Sequence, residues 1–432
     1  MQKTPQDIFD YANITDDCIK CGKCIPVCTI HNVNADEVTS PRGFLDLLGA
    51  YQRGKLELDK NVKSIFESCF LCTACVEVCP KSLPTDMVIE QVRSDIAKKY
   101  GIAWYKKAFF LLLRHRWLND LAFKLGWAFQ TCGFKIQEDI DSMKSRFNLP
   151  MLKADRLLPS LRKTSFLNAY EENITNGGKR KVMIFIGCLA NYNYRNIGDS
   201  LLEILETLEI DAYLAKEQKC CSAPAYFTGD FDTVDNNAKF NIEYFEKIIE
   251  KEGVEAIIVP EATCSAMLKI DYAHYFHDQP EWKARAEALS SKIFMATEWL
   301  YKHTQLEELL AQRQREDLVV TYHDPCHAKK MQGIHQEPRE LISKNYDMVE
   351  MSDSNRCCGF GGVTMQSEKY HFAKAAGAPK AAMIEETKAD VVSAECSACR
   401  MQINASMSYA DVQTTFKNPI ELIADALRDK DE

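Results

Sequence analysis

The stretch CIKCGKCIPVC, residues 18–28, decides how the N-terminal part of this 432-residue chain folds. Its cysteines follow the spacing C-x2-C-x2-C-x3-C, and CFLCTACVEVC, residues 69–79, repeats that spacing just before Pro80. Thiolates at this density bind soft metals, and a third cysteine inside each short run is unusual for a zinc ribbon. The two runs therefore predict iron–sulfur clusters of an electron-transfer protein, with two structural zinc sites as the alternative.

The bulk properties of the sequence limit the class of protein. A length of 432 residues suggests two to four domains, and 46% hydrophobic residues is typical of a globular chain. The net charge of −9 gives no reason to expect nucleic-acid binding. Residues 1–16 lack an apolar signal core, and no apolar run approaches a membrane-spanning length. Eighteen cysteines without an export signal favour metal ligation over disulfides and predict a cytoplasmic location.

The two cysteine runs resemble the dicluster ferredoxin domain of flavin-linked dehydrogenase and heterodisulfide reductase subunits. In two-cluster ferredoxins the fourth cysteine of each run ligates the other cluster. The resemblance thus implies two [4Fe–4S] clusters, one held by Cys18, Cys21, Cys24 and Cys79 and the other by Cys69, Cys72, Cys75 and Cys28. Residues 32–68 between the runs predict a helical insertion, with Leu45, Leu48 and Tyr51 on one helical face.

Residues 101–180 contain few cysteines and predict a helical linker that ends near the polar Gly177-Gly178 pair. The stretch WYKKAFFLLLRHRWLNDLAFKLGWAF, residues 104–129, places one apolar set near a single helical face: Phe110, Leu113, Trp117, Leu121 and Leu125. Its charges are mostly basic: Lys106, Lys107, Arg114, Arg116 and Lys124 against Asp120. These features predict docking to a membrane surface or a partner, with packing on the protein itself as the alternative. Cys132 stands alone and is expected in the core.

The region after residue 180 contains an internal repeat. KVMIFIGC ends at Cys188 and LVVTYHDPC ends at Cys326, and a Cys-Cys pair follows each segment. Short β-branched apolar runs alternate with amphipathic stretches in both halves, which predicts parallel βαβ units. The expected fold is multidomain, with a mostly α ferredoxin-like domain (1–100), the linker (101–180) and two α/β modules (181–315 and 316–432). Cysteines beyond strand ends are expected to converge at the carboxyl edge of each sheet.

The cysteine pattern of the repeat is similar to the CCG (cysteine-rich) domain family, in which five cysteines hold a non-cubane [4Fe–4S] cluster. The resemblance implies such a site in the second module, where Gly359 completes the signature: Cys326, Cys357, Cys358, Cys396 and Cys399. The first module departs from the pattern, because Ser222 replaces the glycine and Met267 the last cysteine. Its four cysteines are expected to hold an ordinary four-thiolate cluster or none: Cys188, Cys220, Cys221 and Cys264.

The second module also carries polar side chains beside its first cysteine. His323, Asp324 and His327 flank Cys326. One of them is a candidate hydrogen-bond donor to a cluster sulfur, and satisfaction of local backbone groups is the alternative.

The domain order resembles the iron–sulfur subunits of glycolate oxidase and of anaerobic glycerol-3-phosphate dehydrogenase, and also fused heterodisulfide reductase. The resemblance implies electron transfer from a flavoprotein subunit that oxidises a 2-hydroxyacid or glycerol 3-phosphate towards membrane quinone. Peripheral contact with the inner face of the cytoplasmic membrane is part of that expectation. The alternatives are a catalytic thiol–disulfide reductase, against which Met267 argues, and a scaffold stabilised by metal.

Overall fold

The computed structural model describes residues 11–148 and 156–428. The N-terminal domain is entirely helical in its described regular elements, as the sequence predicts. Its helices are α1 (Tyr11–Asp16), α2 (Thr29–Asn34), α3 (Pro41–Gln52), α4 (Lys60–Phe66), α5 (Ala74–Glu77) and α6 (Thr85–Tyr100). The predicted helical insertion is α3 together with α4. Leu45 and Leu48 of α3 are buried and Tyr51 is half-buried, so the predicted apolar face is confirmed.

Side-chain caps set where the two insertion helices begin. The Ser40 hydroxyl accepts from the Gly43 N–H at 3.0 Å, and the Asp59 carboxylate accepts from the Val62 N–H at 2.7 Å. Each cap satisfies a backbone donor that has no partner within its helix. The insertion therefore holds a defined course between the two cysteine runs.

The linker is only partly helical, in contrast to the predicted helical linker. It contains α7 (Trp104–Arg114), α8 (Arg116–Gly133), β1 (Phe134–Gln137), β2 (Ser142–Ser145), β3 (Leu157–Pro159), α9 (Phe166–Ala169) and β4 (Asn173–Ile174). The strands β1, β2 and β3 form a small antiparallel sheet, so the prediction of an entirely helical linker is wrong after Gly133.

The apolar set predicted for one helical face is divided between two faces. The chain leaves helical geometry at His115, which has a φ of −122° and a ψ of 97°. Phe110 and Leu113 are buried, whereas Trp117, Leu121 and Leu125 are exposed. The break between α7 and α8 changes the helical phase, which a pattern read as one continuous helix cannot show. Cys132 is exposed and not in the core, so that prediction is also wrong.

Each cysteine-rich module contains a parallel sheet covered by helices, as predicted. The first module consists of β5 (Lys181–Ile184), α10 (Cys188–Tyr192), α11 (Asn196–Thr207), β6 (Asp211–Leu214), α12 (Ala223–Tyr226), α13 (Phe231–Glu252), β7 (Ala256–Val259), α14 (Ala262–Ala266), a π-helix (Met267–Asp271), α15 (Tyr272–Tyr275), α16 (Pro280–Ser290), β8 (Ile293–Met295), α17 (Ala296–His303) and α18 (Leu306–Leu310). Its strand order is β4-β6-β5-β7-β8, with only β4 antiparallel.

The second module repeats that core topology. It consists of β9 (Val319–Tyr322), α19 (Cys326–Gln332), α20 (Gln336–Ser343), β10 (Asp347–Met348), α21 (Gly362–Ser367), α22 (Tyr370–Thr387), β11 (Val391–Ser393), α23 (Ser397–Ala410), β12 (Thr415–Lys417) and α24 (Pro419–Leu427). Its strands follow the parallel order β10-β9-β11-β12, which matches β6-β5-β7-β8 of the first module. The repeat seen in the sequence is therefore a repeat of topology.

The central strands are buried on both faces, as covered parallel sheets require. Val182 and Ile184 of β5 enter a hydrophobic cluster that also contains Val320 and Tyr322 of β9. Met183 and Phe185, which alternate with them, enter a separate cluster under the other face. One apolar core therefore spans both modules and holds their sheets together.

The ferredoxin-like domain is attached to both modules. Arg93 of α6 is 3% exposed, and its guanidinium donates to the Phe66 and Cys69 carbonyls and, at 2.8 Å, to the Phe227 carbonyl of the first module. Gly229 lies against the Arg93 backbone with a φ of +88° and has no room for a Cβ. Met365 of the second module packs into the core of the ferredoxin-like domain. This packing positions the cysteine runs relative to the modules.

Candidate metal centres and the cavity between them

The eight N-terminal cysteines form two spatial groups. One small cavity is lined by Cys18, Cys21, Cys24 and Cys79, and Cys75 also touches it. A second is lined by Cys28, Cys69, Cys72 and Cys75. The fourth cysteine of each run thus lies with the first three of the other run, which is the arrangement that crossed ligation needs. Ligation itself stays a prediction.

The loops around these cysteines turn polar groups toward sulfur. The Leu71 N–H donates to Cys69 Sγ at 3.4 Å, and Leu71 has a positive φ of 50°. The Thr29 hydroxyl lies 3.3 Å from Cys72 Sγ. A left-handed residue in so short a loop directs its amide inward, where it stabilises negative charge on sulfur.

Burial raises the pKa of the thiols at the second group. The pKa of Cys28 and that of Cys69 each rise to about 12, with desolvation as the main cause. Such thiols stay protonated at neutral pH unless a bound cation removes the proton. A coordinating metal deprotonates a thiol outright, so this group fits a metal centre better than a set of reactive free thiolates.

The four cysteines of the first module converge from separate loops, as expected. Cys188 begins α10, Cys220 and Cys221 follow β6, and Cys264 lies in α14 beyond β7. The Sγ atoms of Cys221 and Cys264 are 3.4 Å apart, and Cys188 reaches Cys220. Hydrogen bonds from Cys188 and Cys221 lower the pKa of Cys220 well below its ordinary value. The carboxyl edge of the sheet therefore brings four sulfurs together.

Met267 occupies the position of the last cysteine in the first module. Its side chain is fully buried in the core of the first module, where it begins the π-helix Met267–Asp271. Cys399, its counterpart in the repeat, lies 3.5 Å from Cys358 Sγ. The two modules thus differ in the number of thiolate ligands, because the first has a thioether where the second has Cys399.

The second module brings its five cysteines to the equivalent edge. Cys326 begins α19, Cys357 and Cys358 precede α21, and Cys396 caps α23 by accepting from the Cys399 N–H at 3.5 Å. The Gly359 N–H donates to Cys357 Sγ at 3.4 Å, with Gly359 at a φ of +90°. A Cβ at Gly359 would lie 2.8 Å from the Gly377 nitrogen, so both the turn and the space favour glycine here.

A buried histidine supports metal binding at this edge. One ring nitrogen of His323 contacts the Ser354 carbonyl, and Nε2 is buried without a partner among the described residues. His323, Cys358 and Cys399 place one ligand atom each within 4.8 Å of one another. Burying an unpaired polar nitrogen costs about 1–3 kcal/mol unless a partner is added. An iron–sulfur cluster held by the five cysteines would supply sulfur acceptors, so the residues fit the group that their pattern predicts.

The other two candidate residues of the HDPCH segment have different partners. Asp324 accepts from Arg339, Lys329 and Ser354, and these contacts outweigh burial and lower its pKa to about 2. His327 stacks on Phe227 and lies 3.0 Å from the Thr263 hydroxyl of the first module. Asp324 therefore stabilises its own module, whereas His327 bridges the two modules.

The N-terminal and C-terminal cysteine groups meet at one point. Cys72 and Cys357 pack in one buried cluster, and their interaction is the main cause of the raised pKa of Cys72. We call this pair the junction. Lys330 faces it, donates to the Asn355 carbonyl at 2.8 Å and interacts with Cys326, Cys72 and Cys357. Neither the junction nor Lys330 carries a local sequence signal, because the partners are far apart in the chain.

The cysteines of both modules face one shared cavity of about 470 Å³. All nine line it: Cys188, Cys220, Cys221, Cys264, Cys326, Cys357, Cys358, Cys396 and Cys399. Helices α7 and α8 close one side, where Lys106, Phe109 and Asn119 contribute to the lining. The sequence predicts the two sets of cysteines but not that they line one cavity.

The chain matches two family models. The model described as "4Fe-4S dicluster domain" matches residues 14–83, and the one described as "Cysteine-rich domain" matches residues 182–269 and 320–404. A crystal structure of a hypothetical protein from Helicobacter pylori is similar with a TM-score of 0.53 at 11% identity, over 99% of this chain and 77% of that one. That similarity concerns the fold alone.

Three curated relatives extend the similarity. A probable glycolate oxidase iron-sulfur subunit of Bacillus subtilis is 29% identical over 358 residues, 80% of this chain and 79% of that protein. Lactate utilization protein A of Bacillus licheniformis is 30% identical over 226 residues, 52% of this chain and 90% of that protein. A subunit of the anaerobic glycerol-3-phosphate dehydrogenase of Escherichia coli is 30% identical over 251 residues, 58% of this chain and 60% of that protein.

Proposed function

This chain belongs to the family of iron–sulfur proteins in which a 4Fe-4S dicluster domain precedes two cysteine-rich domains, and we propose that it is an electron-transfer subunit. Its partner in this proposal is a flavoprotein that oxidises glycolate, lactate or glycerol 3-phosphate, and its acceptor is membrane quinone. The names of the relatives support the dehydrogenase class.

The ligand sets follow the spatial groups. Two [4Fe–4S] clusters occupy the N-terminal groups, and a further iron–sulfur cluster occupies the five-cysteine site of the second module. The four-cysteine site of the first module is the candidate for one more. When bound, these clusters accept and release single electrons at potentials that the surrounding protein sets.

The junction is the observation that carries this proposal. Because Cys72 and Cys357 pack in one buried cluster, the second N-terminal site and the second-module site are adjacent. At the other end, Cys21 is exposed on the first N-terminal site. The chain thus offers one exposed end for electron entry and a continuous run of sulfur sites into the modules. A purely structural metal site has no need of such continuity.

The exposed face of α7 and α8 supports a peripheral membrane contact. Trp104 is 80% exposed and Trp117 is 65% exposed, and Leu121 and Leu125 extend the same surface. The exposed side chains of Lys107 and Lys124 also lie on these helices. Aromatic, leucine and lysine side chains together suit the headgroup region of an anionic bilayer. No helix in residues 11–148 or 156–428 is long and apolar enough to cross a membrane.

The division of labour is tested with protein purified anaerobically together with its flavoprotein. Addition of the 2-hydroxyacid or glycerol 3-phosphate should then reduce the iron–sulfur centres, followed by electron paramagnetic resonance, whereas the chain alone should stay oxidised. Turnover of substrate by the isolated chain would refute the proposal. Cys399→Ser should abolish the second-module signal and spare the N-terminal signals, and Cys132→Ser is the matched control because Cys132 is exposed and distant in sequence from every group.

A catalytic heterodisulfide reductase is the second candidate function. The shared cavity with sulfur sites on both sides favours it, and the buried Met267 in place of a fifth cysteine argues against it. Reduction of a heterodisulfide by the purified chain with a chemical reductant would decide for this alternative.

A further inference from the structure

His323 places a ring nitrogen among the sulfur atoms of the second module. The residue follows β9 directly and is 1% exposed. One of its ring nitrogens lies within 4.8 Å of Cys358 Sγ and Cys399 Sγ. Nδ1 is engaged by the Ser354 carbonyl, whereas Nε2 is buried with no hydrogen-bond partner in residues 11–148 and 156–428. Nε2 is therefore the nitrogen that is available to a bound group.

The contact with Ser354 decides where the ring proton lies. Nδ1 is 3.2 Å from the Ser354 carbonyl oxygen, and a carbonyl oxygen can only accept a hydrogen bond, so Nδ1 carries the proton. Lys380, which is also fully buried, donates to the same oxygen at 3.3 Å. A second positive charge beside this ammonium group would be costly in a buried site. The imidazole is therefore neutral, with a proton on Nδ1 and a lone pair on Nε2.

This tautomer distinguishes a metal ligand from a hydrogen-bond donor. A cluster offers sulfur atoms, to which an unprotonated nitrogen cannot donate, and metal atoms, which its lone pair can bind. Cys358 Sγ and Cys399 Sγ are 3.5 Å apart. Two thiolates on one tetrahedral metal ion lie about 3.7 Å apart, so their separation suits a shared metal atom. Histidine ligands of metals commonly donate their other ring N–H to a backbone carbonyl, as His323 does to Ser354.

The first module provides an internal comparison. Phe185 lies three residues before the first cysteine of that module, as His323 does in the second. The Phe185 N–H donates to the Ile258 carbonyl at 3.1 Å. The His323 N–H makes the equivalent bond between strands to the Ser393 carbonyl at 2.9 Å. The Phe185 ring is fully buried and packs edge to face on Phe245. The module that lacks the fifth cysteine thus lacks the histidine as well, as expected if both belong to one ligand set.

We infer that Nε2 of His323 is a ligand of the metal centre in the second module, on the same metal atom as Cys358 and Cys399. This inference rests on the proposed function, under which that atom is an iron of the cluster held by the five cysteines. A neutral imidazole adds no negative charge to the iron, and histidine ligation raises the potential of iron–sulfur centres above that of centres with thiolates alone. The histidine therefore favours electron transfer towards the second module.

The test is pulsed electron paramagnetic resonance of anaerobically purified, chemically reduced full-length protein. Two samples are compared, one with ordinary histidine and one with histidine that carries the heavier stable nitrogen isotope. The resonance signal to follow is the one that Cys399→Ser abolishes. It should show a strong nitrogen hyperfine coupling that changes with the isotope, because a ligating nitrogen receives spin density directly from the metal.

Two substitutions of His323 separate ligation from hydrogen bonding. His323→Asn keeps a buried N–H donor and removes the imidazole, so the isotope-dependent coupling should disappear. His323→Cys supplies a thiolate, so the centre should stay loaded, lose the coupling and shift to a lower midpoint potential. His274→Asn is the matched control. His274 also has a buried ring nitrogen without a partner in the described ranges, but it belongs to no group of three ligand atoms there. Coupling and potential should be unchanged in this variant.

The inference is overturned if the unsubstituted protein shows no isotope-dependent coupling. It is also overturned if the coupling survives His323→Asn or disappears in His327→Asn, which removes the neighbouring buried histidine. Absence of any signal that responds to Cys399→Ser would overturn both this inference and the cluster assignment. Reduction of the same centre by the flavoprotein and its substrate is measured separately. A centre that shows the coupling but that no flavoprotein reduces would refute the proposed function and leave the histidine ligand in place.

Discussion

Arg93→Met should loosen the ferredoxin-like domain from the first module. The buried guanidinium of Arg93 donates hydrogen bonds to three carbonyl oxygens, with donor–acceptor distances between 2.7 and 3.2 Å. Methionine keeps much of the apolar stem but supplies no donor. Each carbonyl left unsatisfied costs about 1–3 kcal/mol, and water relieves part of that loss. The expected loss of local stability is about 3–5 kcal/mol.

Native-state hydrogen exchange followed by mass spectrometry measures this loss directly. Because each 1.4 kcal/mol corresponds to a factor of ten, exchange in residues 66–72 and 226–230 should rise roughly 100- to 3000-fold. Arg53→Met is the matched control, since its guanidinium pairs with Asp16 on the surface. That change should raise exchange at most about fivefold, because exposed ion pairs contribute little. A rise below about tenfold in Arg93→Met would contradict the role given to this side chain.

Three further substitutions test the interface of the ferredoxin-like domain, the junction and a buried carboxyl group. Gly229→Ala should raise the same exchange rates, because the new Cβ would lie 2.4 Å from the Arg93 carbonyl oxygen at a φ of +88°. Lys330→Gln should lower the reduction potential of the centre beside the junction by about 1–3 kcal/mol per electron, as measured in a potentiometric titration with resonance detection, because a nearby positive charge is lost. Burial and the nearby Asp271 raise the pKa of Glu90 well above its ordinary 4.5, so the folded state holds a proton that the unfolded state releases and stability falls as pH rises above that value. Glu90→Gln should flatten this fall in melting temperature as the pH rises above 4.5, and an unchanged slope would assign the effect to other groups.

The cysteine blocks and the repeat could be predicted from the sequence because their information is local. The spacing of each run places its thiols within one short loop, and strand-ending cysteines in parallel sheets meet at one edge. Met267 could be identified as a departure by alignment of the two halves. Its complete burial at the start of the π-helix could not be predicted from that pattern.

The linker shows why one prediction, a single apolar helical face over residues 104–129, was wrong. One helical period over residues 104–129 predicted a single apolar face, but the break at His115 divided that face between the core and the solvent. Periodicity reports which residues share a face only while the helix continues. Cys132 was misplaced for a related reason, since a cysteine without a pattern gives no information about its burial.

By itself, the sequence determined that this is an iron–sulfur protein with a ferredoxin-like domain and two unequal cysteine-rich modules, because thiol number and spacing set which metals can bind. Only the tertiary structure decided that Cys72 packs beside Cys357 and that nine module cysteines line one cavity. These relations join residues that are far apart in the chain. They depend on how α6, α7 and α8 pack on the two sheets. Such packing of distant elements produces no local spacing pattern in the sequence from which it could be predicted.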